Sequence, residues 1–205
     1  MEGIAILYNL FLGLDYFSRY LVIINIIGLA SFIINTLLYN FTAEMQIDKV
    51  LTILSLLGGS FGIILGILLF DRKPVKDNMM SRVFITCVFV IQVVLFLFAK
   101  GFHAETINYK FWEFFDDNKI ILIYLVVINV VAIILFALDK INAIEGRSRI
   151  RIVTLLGIAF MGGSVGALIA MYTFRHKTKI DYFIVGVPMI LVMQIVVCFY
   201  IMNIR

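Results

Sequence analysis

Six uninterrupted apolar runs, at 20–39, 50–70, 83–99, 120–138, 152–173 and 183–203, constrain this chain more than any other feature. Crossing the hydrocarbon core of a bilayer takes about 20 residues of helix. Inside that core every backbone N–H and C=O needs an internal partner, which leaves only helices and closed barrels. The runs lack the alternation of apolar and polar residues that barrel strands require. The expected fold is therefore all-α: a polytopic membrane protein with six transmembrane helices. Composition agrees, with 63% of the residues hydrophobic and 15% charged, against roughly half and a quarter in soluble domains.

The chain reads as written twice. Shifted by 104 residues, Tyr20, Leu21, Val22, Ile24 and Asn25 fall on Tyr124, Leu125, Val126, Ile128 and Asn129 without a gap. In the same register Phe32 meets Phe136, "GGSFG" meets "GGSVG", Phe70 meets Phe174, Lys73 meets Lys177 and Asp77 meets Asp181. Matching aliphatics mean little in so apolar a chain, but matching Asn, Gly-Gly-Ser, Lys and Asp mean more. The expected organisation is an N-terminal interfacial segment (1–19), a first three-helix repeat (20–101), a linker (102–119) and a second repeat (120–205). The stretch 4–14 is too short to span, and with Glu2 in place of a basic start it does not read as a removed signal peptide. The linker is amphipathic and aromatic, and is expected at the membrane interface with Trp112 as an anchor.

Three spans per repeat is an odd number, so the second copy would enter from the opposite side, an inverted 3+3 arrangement. A rival topology turns each Gly-Gly into the tip of a re-entrant hairpin. Continuous spans divide the Lys and Arg residues 10 to 7 between the two faces, and hairpins divide them 12 to 5. The excess of Lys and Arg expected on the cytoplasmic side favours the hairpin. Helical phase favours the span: Ser55, Gly58, Gly59, Gly62 and Gly66 keep to one face, as do Ala159, Gly162, Gly163, Gly166 and Ala170. Small residues at this spacing allow close helix contact, and the continuous span is the expectation taken forward.

Asn25 and Asn129 lie inside runs, where an amide must find a partner. They are expected to form interhelical hydrogen bonds on a packing face with the glycines. Asp139-Lys140 ends the fourth run and Arg175-His176-Lys177-Thr178-Lys179 ends the fifth. These seven residues are the candidate ligand-binding set. Continuous spans would put the two groups on opposite faces and rule out a compact Asp–His site, whereas hairpins would allow one. An Arg fork beside a Thr hydroxyl suits a phosphate or carboxylate, although lysines and arginines at helix ends also simply snorkel to head groups. No His, Cys or carboxylate spacing points to a metal, and no cofactor motif is present. Cys87 and Cys198 lie inside runs and read as buried thiols. The net charge of +4 is spread over several loops, which points to anionic lipid as a partner and away from nucleic acid.

The second copy resembles the small bacterial membrane proteins known as domain of unknown function 1294. The resemblance rests on "INVVAIILFALDKINA", "RSRI", "LLGIAFMGGSVGALIAMYTFRHKTK", Phe183 and "GVP" at 186–188. It departs from the family's usual Arg-Ile-Pro-Glu at Arg149-Ile150-Arg151-Ile152. The first copy is a worn version, with Asn35-Thr36 for Asp139-Lys140 and "FDRKPVK" for "FRHKTK". The resemblance implies a multi-pass protein of the bacterial inner membrane and supplies no activity. The leading functional expectation is a non-enzymatic protein that engages anionic lipid or a small anionic solute and transports it. The alternative is an assembly subunit that docks another membrane protein, or a second copy, through its glycine-faced helices.

Overall fold

The computed structural model describes residues 9, 11–42, 49–71 and 76–204. Residues 1–8 and 10 of the expected N-terminal segment lie outside them. Among the described residues every regular element is helical: α1 (Tyr16–Thr42), α2 (Lys49–Leu54), α3 (Ser60–Phe70), α4 (Lys76–Ala99), α5 (Phe111–Asp117), α6 (Lys119–Ile144), α7 (Ile152–Ile158), α8 (Ser164–Thr173), α9 (Asp181–Ile184) and α10 (Gly186–Met202). By length and composition six helical segments could cross a membrane, which makes this a multi-pass membrane protein, and two of the six, Lys49–Phe70 and Ile152–Thr173, are broken at a glycine. Backbone contacts divide the chain into two units, Met1–Ser81 and Arg82–Arg205. Both cysteines are free thiols, Cys87 buried and Cys198 half-buried.

In the second unit the glycine segment doubles back. A wide helical turn (Ala159–Gly163) joins α7 to α8, and inside it Gly162 adopts φ +120° and ψ −7°. No residue with a Cβ holds that conformation comfortably, and glycine holds it freely. An unbroken helix over Ile152–Thr173 would separate its ends by about 33 Å. Instead the backbone N–H of Ile150 and the ring of His176 both reach the carboxylate of Asp139, at 2.8 Å each. Both ends of the segment thus lie beside the C-terminal end of α6. Contacts along the way run in matching order, Tyr124 to Met161, Asn129 to Gly166 and Lys140 to Phe174, so α8 is parallel to α6.

The first unit follows the same path. Tyr20 meets Leu57, Asn25 meets Gly62 and Phe32 meets Gly66, so α1 and α3 are parallel. A straight helix leading into α3 would have to start near the N-terminal end of α1. That lies about 30 Å from Thr42 at 1.5 Å per residue, beyond the roughly 25 Å that the chain from Thr42 to Lys49 can reach. The reversal falls at Gly58, with φ +112° and ψ −2°.

The expectation of continuous glycine spans is therefore corrected to that of re-entrant hairpins. The odd number of crossings behind an inverted arrangement goes with it. The phase of the small residues misled because both limbs of each hairpin lean on the same long helix. Buried Ala159 and Gly163 near the turn and Gly166 and Ala170 in α8 line one seam whether the chain continues or returns.

The seam is tight enough to exclude side chains. A Cβ on Gly62 would overlap the carbonyl of Asn25, and one on Gly166 that of Asn129. On Gly163 it would stand 3.0 Å from the Cβ of Ala132, and on Gly66 2.5 Å from the ring of Phe32. Gly28 of α1, not singled out in the sequence, belongs to the same contact, since its Cβ would lie 2.7 Å from the Gly59 carbonyl. The glycine faces are thus filled by α1 and α6 of the chain itself.

Candidate functional site: a buried carboxylate at the neck of a hairpin

A hairpin in the apolar layer leaves backbone groups at its tip without helical partners, and each must be satisfied. The long helices supply the partners. The amide of Asn129 donates to the Gly162 carbonyl at 3.0 Å, and its oxygen accepts from the Gly166 N–H at 2.6 Å. The Tyr124 hydroxyl donates to the Met161 carbonyl at 2.6 Å. From α10, Gln194 donates to the carbonyls of Ala159 and Phe160, at 2.7 and 3.1 Å, and accepts from the Ser164 hydroxyl. In the first unit Asn25 and Tyr20 make the same bonds to Gly62 and Leu57. The two asparagines are thus the backbone's partners at a turn. The tyrosines and Gln194 escaped sequence reasoning. Gln194 could have been found as the one amide side chain inside the last apolar run, away from its ends.

The neck is built around Asp139, which is wholly buried near the end of α6. One carboxylate oxygen accepts from the Ile150 N–H, and the other from His176 Nε2 at 2.8 Å and Lys177 Nζ at 2.7 Å. Each donor comes from one side of the hairpin, Ile150 just before α7 and His176-Lys177 just after α8, so one carboxylate clamps both ends. The Lys177 ammonium also lies 4.6 Å from the centre of the buried Phe183 ring, which packs edge-on against Phe136. A cation on an aromatic face is attracted by the ring's negative centre. Burial pushes the Lys177 amine below its ordinary pKa, Asp139 works in the opposite direction, and Arg149 adds to the lowering.

The turn after α8 closes with the N–H groups of Arg175 and His176 returning to the carbonyls of Tyr172 and Met171, a helix end that usually calls for glycine. Here Arg175 and Lys177 both take positive φ, +47° and +62°. Such conformations cost of order 1 kcal/mol or more and persist only where surrounding contacts enforce them, as the Asp139 clamp does at Lys177. Lys140 completes the neck by donating to the Phe174 carbonyl at 2.7 Å.

The seven sequence candidates therefore separate by role. Asp139, His176, Lys177 and Lys140 are taken up by internal bonds. Arg175 and Lys179 are exposed and Thr178 is half-buried. The loop between α6 and α7 brings exposed Arg149 and Arg151 to the same end, flanking the clamped Ile150. These two arginines are not in the candidate set; in the sequence they stand out as a departure from the family's usual Arg-Ile-Pro-Glu. None of Arg149, Arg151, Arg175 and Lys179 has an ion-pair partner among the described residues, whereas Arg147 pairs with Glu145 at 3.0 Å. Among the described residues no group of three His, Cys, Asp or Glu converges as metal ligands would.

Residues 129–183 match the family model described as "Protein of unknown function (DUF1294)". A curated relative, "Uncharacterized protein YsdA" of Bacillus subtilis (strain 168), is 41% identical over 75 residues, covering 37% of this chain and 84% of the relative. The chain belongs to the DUF1294 family. The DUF1294 match begins at Asn129, which braces the hairpin tip, and ends at Phe183, which packs on Lys177. It therefore contains the hairpin, the clamp and the basic turn in one piece. The relative is little longer than the matched stretch. No solved structure matches the chain.

Proposed function

We propose that this DUF1294 protein is a tandem duplication residing in the bacterial cell membrane, and that the basic end of its second unit binds the phosphates of anionic head groups. The observation that carries this reading is the gathering of Arg149, Arg151, Arg175 and Lys179 by a single buried carboxylate. Without Asp139 the two loops would have no common anchor, and their like charges would push them apart. With it, four exposed cations stand around one neck at the level where a hairpin meets the head groups. Arginine presents a planar fork suited to phosphate, and anionic leaflets attract such clusters.

Charge also orients the unit. Lys140, Arg147, Arg149, Arg151, Arg175, Lys177 and Lys179 lie at the neck end, and Lys100, Lys110 and Lys119 at the other. The positive-inside rule then puts the neck in the cytoplasm. Duplication is supported by hydrogen bonds that repeat at the 104-residue offset: Tyr20 to Leu57 and Tyr124 to Met161, Gly62 to Asn25 and Gly166 to Asn129. Docking through glycine-faced helices is less favoured, because those faces are filled from within.

The test is lipid retention by native mass spectrometry after purification from bilayers mixing phosphatidylglycerol and phosphatidylcholine. The triple variant Arg149→Gln/Arg175→Gln/Lys179→Gln is expected to lose phosphatidylglycerol, while Lys110→Gln retains it. Added inorganic phosphate distinguishes a free anion, which would compete, from a head group held together with its acyl chains. Equal retention by both variants would overturn the proposal.

A further inference from the structure

The end of the second unit opposite the neck carries the linker, where acidic and basic residues alternate with aromatics. In α5 the aromatics Phe111, Trp112, Phe114 and Phe115 occupy one side of the helix, and Glu113, Asp116 and Asp117 the other, at about 100° per residue. No residue of α5 is buried, and Trp112 is 83% exposed. A single residue, Asn118, separates α5 from α6, so the aromatic face sits where a membrane helix begins.

Asn203 stitches the rest of the linker to the end of α10. Its side chain accepts from the Asn108 N–H at 2.6 Å and donates to the Asn108 carbonyl at 3.1 Å, and its own carbonyl accepts from the Ala104 N–H at 2.7 Å. Tyr109 and Phe111 reach the ring of Phe199 at 5.7 and 6.4 Å. The segment is thus tied at both ends to membrane helices, and its aromatic face is only partly covered: Phe114 and Phe115 are half-buried, while Trp112 stands free of the described residues.

We infer that α5 is an interfacial anchor whose aromatic face inserts into the boundary between head groups and acyl chains, in the leaflet opposite the neck. Two features identify the occupant as the bilayer itself. The helix is continuous with a span that starts at that depth, and aromatic side chains with one apolar and one wet side favour that layer.

The chain has a single tryptophan, Trp112, so its fluorescence reports this helix alone. In phosphatidylcholine vesicles the emission is expected to be blue-shifted relative to the denatured protein and shielded from iodide. Lipids brominated near the head-group end of the acyl chain should quench it more than lipids brominated near the tail. The variant Asn203→Leu, which removes the stitch, should weaken that shallow quenching and increase access to iodide. Free quenching by iodide with none by brominated lipid would place the helix in water and overturn the inference. Shielding from both quenchers would also overturn it, by showing a protein contact. Neither result bears on the neck, whose phosphate binding is read in a separate experiment.

Discussion

Replacing Asp139 by Asn removes the charge at the neck while keeping the size of the side chain. Asn can still accept from the Ile150 N–H. Its amide N–H₂ then faces His176 and the Lys177 ammonium, two donors whose acceptor among the described residues is Asp139. The Lys177 side chain is only 8% exposed, so its charge would be left largely unpaired. Removing one partner of a buried pair costs about 3–5 kcal/mol, and with two donors stranded at once Asp139→Asn belongs at the upper end. Lys177→Met leaves Asp139 with His176 and Ile150, and costs about 1.5–3 kcal/mol, the range of one charge-assisted hydrogen bond. The double variant removes the stranded ammonium, so it should fall short of the summed single costs by about 2 kcal/mol, within the usual range for residues in contact. Unfolding free energies by steric trapping in bicelles would measure all three. Additive costs, or an Asp139→Asn variant within about 0.5 kcal/mol of the parent, would show that the carboxylate does not carry the neck.

Two further outcomes test the path of the chain. With Cys87 and Cys198 replaced, single cysteines at Arg149 and Lys179 should be labelled from the same side of the membrane and one at Lys110 from the other. Labelling of 149 and 179 from opposite sides would restore the continuous span. Among the glycines, Gly166→Ala should cost about 1–3 kcal/mol through overlap with the Asn129 carbonyl, and Gly162→Ala about 1–3 kcal/mol through its positive φ and the approach of an added Cβ to Ile128 and Leu125 at 3.2 Å. Gly157→Ala, where an added Cβ meets nothing within 4 Å, should leave the thermal midpoint unchanged, and equal sensitivity at all three positions would rule out the hairpin geometry.

Much of this protein follows from its sequence alone. Long apolar runs dictate helices in a bilayer, because nothing else satisfies the backbone there. The family was legible in a few motifs, and the 104-residue offset could be read from Asn, Gly-Gly-Ser and Lys. That Asn25 and Asn129 need partners also followed, since an amide in an apolar layer cannot go unbonded. What only the tertiary structure decided is the direction of the chain after Gly58 and Gly162. Hydropathy records how apolar a segment is, and helical phase records which side is small. Both stay the same whether the segment continues or folds back along the same neighbour. The reversal rests on one backbone dihedral that glycine adopts without strain, and glycine is equally at home in a tight straight contact. That single turn brings Ile150 and His176 to one carboxylate, and with them the exposed charges of the two flanking loops.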